Sequence, residues 1–278
     1  MILPTQFWYY PVVIAAVSFG AGNAIAHALQ KTTQKRQRLS TAGLLGAVTG
    51  ALISAFAHFI GLVPVVGNII QYILIYYSFL QLFIGFIGFL FAVYHRVFLK
   101  ESQAITKSLK IFMGLFYLDE SFTLRSIIHG FSRHTWELLQ TFVGHFYSQI
   151  RNTGVQVSMV EYFGGNTFII NENQNYQDGI SLGNFININL WRSLSNAMDL
   201  ISSHEPILLH EHGHTIDSRR FGWLYLPVIG LPSLINAMGK GNHNVFWTEI
   251  RANRNVKKYA EKYYHVSWKD YESEYPTA

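Results

Sequence analysis

The chain contains no cysteine, and only 13% of its residues are charged, about half the share usual in a soluble globular domain. Without thiols there is no disulfide and no cysteine-ligated metal, so any metal site must draw on His, Asp or Glu. Acidic residues are missing altogether from the first hundred positions. The charged side chains there are Lys31, Lys35, Arg36, Arg38, Arg96 and Lys100, all basic. The net charge of +5 is not arranged as a basic stripe interleaved with aromatics, which argues against a nucleic-acid partner. The N-terminal stretch also lacks the basic region and small-residue cleavage pattern of a secretory signal peptide.

Long apolar runs are present instead. Phe7 to Leu29 carries no charge and begins with Trp8, Tyr9 and Tyr10, an aromatic cluster suited to a headgroup boundary. After a basic segment from Lys31 to Arg38, the stretch from Leu39 to His95 has no Asp, Glu, Lys or Arg. It has room for two crossings of about 20 residues each, broken by a turn near Gly61-Leu62-Val63-Pro64 and Gly67-Asn68. Gly46 with Gly50 forms a G-x-x-x-G pattern, and Gly85 with Gly88 offers a further surface for close helix packing. Basic residues 31–38 and Arg96, Lys100, Lys107 and Lys110 are expected to stay cytoplasmic. That predicts a multi-pass membrane protein with about three spans in residues 1–100 and a cytoplasmic C-terminal domain. A first stretch lying in the interface would leave a hairpin with the same inside C-terminus.

Residues 101–150 change character. Ile105, Leu109, Phe112 and Phe116 recur at helical spacing, as do Leu139, Phe142, Val143, Phe146 and Ile150, predicting amphipathic helices at the membrane surface. From Val155 to Asn189 the pattern is strand-like, with turns expected at Gly164-Gly165, Asp178-Gly179 and Gly183-Asn184. Helices follow, and the polar tail from Ser267 is expected to be loosely held. The predicted fold class is α+β: transmembrane helices, the amphipathic stretch, then a helical domain with a small sheet over 151–278.

Within that last region His210-Glu211-His212-Gly213-His214 fits H-E-x-x-H. On a helix, positions i and i+4 share a face, so His210 and His214 can offer two imidazoles to one metal ion, with Glu211 as general base. His212 falls roughly 200° round the helix and should not join them. Ser202 and Glu205 have capping-box spacing, and Gly222 is placed to end the helix. Catalytic zinc takes three protein ligands, and Asp217, His243, Glu249 and Glu261 are candidates for the third. Asp217 is too close in sequence to wrap back. Glu249 lies on a second predicted helix from Phe246 to Arg254, and Asn253, one turn on, can accept from a ligand histidine's free N–H. His243, Tyr225 and Tyr263 are candidate donors to a developing oxyanion. The polar flanks Ser202-Ser203-His204-Glu205 and Asp217-Ser218-Arg219-Arg220 argue against a site inside the bilayer.

H-E-x-x-H followed by Glu249-Ile250-Arg251-Ala252-Asn253-Arg254 resembles the gluzincin branch of zinc metallopeptidases, which usually carry Asp where this chain has Asn253. Over roughly 155–265, the order of Gly179 to Gly183, the His210 motif, Gly222 to Ile235 and Phe246 to Glu249 is similar to metallopeptidase domains at the ends of bacterial Rhs-type and other polymorphic toxin proteins. The resemblance implies a zincin-like domain with Zn²⁺ held by His210, His214 and Glu249. It also implies a protein or peptide substrate, for which a strand from Ile180 to Asn189 can serve as docking edge. A membrane-anchored zinc metallopeptidase is the expected function. The alternative is a non-enzymatic membrane protein with a vestigial metal motif.

Overall fold

The computed structural model describes residues 9–30, 39–119, 124–172, 174–194, 206–239, 242–264 and 267–278. Its first three helices are α1 (Tyr9–Leu29), α2 (Leu39–Ile60) and α3 (Val66–Phe98), each long and apolar enough to cross a membrane. Gly46 and Gly50 of α2 sit on the carbonyl oxygens of Phe19 and Ala15 in α1, with no room for a Cβ. Two backbones therefore meet where the G-x-x-x-G pattern predicted close packing. The turn between α2 and α3 is narrower than its glycines suggested, spanning residues 61–65 with Val65 at φ 64°. Gly67 and Asn68 instead lie in the first turn of α3, where the Ile60 carbonyl occupies the space of a Gly67 side chain. The basic segment 31–38 lies outside the described residues.

The stretch after the spans folds into α4 (Ala104–Met113), α5 (Leu124–Arg133) and α6 (Leu138–Thr153). The stripe of α4 packs inward: Phe112 lies against Gly85 of α3, and Phe116 covers Gly22 of α1. In α6 the polar side is the buried one, including Gln140, Thr141, His145, Ser148, Gln149 and Asn152, while Leu139, Phe146 and Ile150 are each nearly half exposed. This reverses the order expected of a helix resting on a water-soluble core.

Strands β1 (Met159–Phe163), β2 (Asn166–Asn171), β3 (Asp178–Leu182) and β4 (Phe185–Asn189) form one sheet in the order β1-β2-β4-β3, with β2 and β4 parallel and the outer pairs antiparallel. Side chains alternate between faces along each strand. Phe168, Ile170, Ile186 and Ile188 bury against Ile207 and Leu208 on one side. Ile169 and Phe185 pack with Ile111 and Leu115 on the other. Gly164 and Gly165, at φ 56° and 78°, make the β1–β2 turn, and Gly183, at φ 62°, makes the β3–β4 turn. Asp178-Gly179 is not a turn; it opens the edge strand β3.

On the first face lie α7 (Pro206–Phe221) and, beyond it, α9 (Trp247–Tyr264); the short α8 (Leu231–Met238) precedes α9. Gly222 at φ 53° ends α7 in the left-handed conformation expected of a C-terminal glycine. The Ser202–Glu205 capping pair lies outside the described residues. Residues 267–278 are not a loose tail: Trp268 is fully buried against Leu209, Val256 and Ala260, and Thr277 donates to Glu272 through its backbone N–H at 2.8 Å. An indole large enough to fill the gap beside α9 anchors a segment whose polar composition reads as solvated.

Candidate metal centre

Helix α7 presents His210 and His214 one turn apart on the side facing α9, where Glu249 lies in the first turn. The crossing is close because Gly213, between the two histidines, has no side chain: a Cβ there would overlap the Ala252 carbonyl and come within 3.1 Å of its Cα. Glu249 Oε2 then lies 3.2 Å from His210 Nε2 and 3.0 Å from His214 Nε2. The three ligand atoms fall within 4.8 Å of one another, and all three residues are buried. Bonds of about 2.0–2.1 Å in a tetrahedral zinc site separate ligand atoms by about 3.4 Å. Two imidazoles and one carboxylate at this spacing can hold a metal ion.

The surrounding bonds hold these atoms in place. Asn253 Oδ1 accepts from His210 Nδ1 at 2.6 Å, which fixes the ring and leaves Nε2 pointing at Glu249. Ser233 of α8 and Thr248 both donate to Glu249 Oε1 at 2.7 Å, leaving Oε2 for the imidazoles. Pro276 O accepts from Asn253 Nδ2 at 2.9 Å, and the Tyr275 ring stacks obliquely 5.1 Å from His210, so the last segment backs the site.

Glu211, about 100° round the helix from His210, faces β3. Ser181 Oγ lies 2.7 Å from Glu211 Oε2 and 2.8 Å from its backbone oxygen, and the side chain rests on the Cα of Gly179. His212 is separate, as its helical angle predicts: its Nδ1 accepts from Asn166 Nδ2 at 2.9 Å, and its ring packs on Tyr259 at 4.4 Å. Among the other candidates, Asp217 pairs with Arg251 Nε at 2.9 Å, and Glu261 is exposed farther along α9. His243 comes to 3.6 Å from Glu249 Oε2. Tyr225 donates to Ser181 O at 3.2 Å; the Tyr263 side chain lies outside the described residues.

No family model, curated protein or solved structure matches this chain. Gly179, Ser181 and Ser233 were not legible as site residues, because each acts from another element, and Thr248 was not because a small polar side chain beside Glu249 carries no spacing signal.

Proposed function

We propose that the protein is a membrane-anchored zinc metallopeptidase. The observation that carries this reading is the convergence of His210 Nε2, His214 Nε2 and Glu249 Oε2, all on buried residues of two crossing helices. His₂Glu is the donor set of a hydrolytic zinc site rather than of a closed structural one. A zinc ion held there would lower the pKa of a water and polarise a peptide carbonyl. Glu211, next in sequence to the first ligand, takes the proton of the attacking water and passes it to the leaving amine. Ser181 holds the Glu211 carboxylate in reach, and Asn253 holds His210. His243, 3.6 Å from Glu249 Oε2, is the proposed donor for charge developing on the carbonyl oxygen. The zincin-like character of the domain and a polypeptide substrate belong to the same reading.

The test is metal content alongside hydrolysis. Purified protein should carry about one zinc per chain, and His214→Ala should lose it. Glu211→Gln should keep the zinc and lose hydrolysis by about 10²- to 10⁴-fold. A chain that binds no zinc, or an active Glu211→Gln variant, would overturn the reading.

A further inference from the structure

The middles of α1 and α2 and the first half of α3 meet one short segment. Thr49 lies eleven residues before the end of α2, and Tyr77 eleven after the start of α3, about 16 Å into a bilayer core of about 30 Å. Phe19 is the central residue of α1. Thr49 Cγ2 is 2.7 Å from where a Gly130 side chain would begin, Tyr77 donates to Arg133 O at 3.4 Å, and Phe19 packs edge-on to His134 at 4.8 Å. Residues 130–134 therefore sit at mid-span depth. A few residues on, Glu137 accepts from Ser218 of α7 at 2.9 Å, and Gln140 donates to Gly222 O at 2.8 Å. Ser218 is one helical turn from His214. The metal cluster thus lies one helical turn along α7 from a residue bonded to the stretch that follows this segment.

The outward faces agree. Helix α6 runs beside α3, with His145 Nδ1 2.5 Å from Gln81 Oε1 and Gln149 against Gly88. Tyr72, Tyr76 and Leu80 of α3 share one apolar groove with Leu139 and Phe142 of α6. The exposed side of α6 is thus continuous with that of a spanning helix. Helix α8 has no buried residue; it turns Ser233 toward Glu249 and leaves Leu231, Leu234, Ile235 and Met238 exposed. The polar residues that follow the motif point inward, Asp217 to Arg251, Ser218 to Glu137, and Arg219 to the Thr215 carbonyl at 3.0 Å, while 202–205 lie outside the described residues. Arg220 alone is exposed, in a shallow pocket with Trp136 and Trp223, a grouping suited to a headgroup boundary.

We propose that the metal centre lies within the bilayer, with α6 and α8 facing acyl chains, so that it receives polypeptide segments already embedded in the membrane. The substrate class rests on the metallopeptidase reading; the depth does not. Because the natural chain has no cysteine, single cysteines at Phe146, Ile150 and Ile235 can carry nitroxide labels in the full chain, reconstituted in phosphatidylcholine–phosphatidylglycerol vesicles. Phe86 of α3 serves as lipid control, and the exposed Ser102, beyond the end of α3, as water control. The three labels should match Phe86, with oxygen collisions favoured several-fold over chromium oxalate relative to Ser102. Labels that match Ser102 would overturn the depth, whatever the zinc content. Zinc-free protein with lipid-exposed labels would overturn the metallopeptidase reading and leave the depth standing. A transmembrane peptide co-reconstituted with the zinc-loaded enzyme should be cut while added casein is spared. Casein cut as fast as the peptide would overturn the substrate class.

Discussion

Glu211 rests on Gly179: a Cβ at that position would come within 2.7 Å of Glu211 Cγ and closer still to Oε1. The glycine is thus a seat for the proposed base on the edge strand, not a turn residue. Gly179→Ala should push the carboxylate out of line while leaving His210, His214 and Glu249 untouched. Hydrolysis should fall about 10- to 100-fold, chiefly in kcat, with zinc content unchanged. A variant that keeps full activity would show that the seat does not position Glu211.

Asn253 should govern how tightly the metal is held. Asn253→Ala removes the 2.6 Å bond to His210 and should weaken zinc binding about 10- to 100-fold in a competition titration against a chromophoric chelator. Asn253→Asp keeps the acceptor but loses the donor to Pro276, and should recover most of that affinity. Equal loss in both variants would assign the effect to the Pro276 bond instead.

Away from the site, Lys110 and Glu161 form a buried ion pair at 2.9 Å between α4 and β1. Lys110 also donates to Val160 O at 2.8 Å. Removing one partner strands a buried charge, so Lys110→Met should destabilise the protein by about 3–5 kcal/mol in denaturant unfolding. The double variant Lys110→Met/Glu161→Leu should recover most of that loss, since two apolar groups need no compensation. A double variant as unstable as the single one would contradict this account.

What was legible in the sequence follows from the range of each signal. Helical periodicity placed His210 and His214 on one face and excluded His212, and apolar length marked the three spans. Glycine spacing found the α1–α2 contact through Gly46 and Gly50. Signals failed where long-range contacts decide. Gly179 reads as a turn beside Asp178 until the Glu211 side chain that occupies its space is known. The apolar stripe of α6 announces an amphipathic helix equally well whether its polar side meets water or a protein interior. Polar residues after His214 suggest an aqueous site only while their partners, Arg251 and Glu137, are out of view. The 267–278 segment is polar in composition, yet Trp268 alone is enough to pin it.

That pinned segment has a consequence for the order in which the site is assembled. Tyr275 and Pro276 back His210 and Asn253 but come later in the chain than every candidate ligand. A nascent chain has both imidazoles and the Glu249 carboxylate before it has the residues that hold the first of them still. The cluster is therefore completed only after the apolar helices have been made.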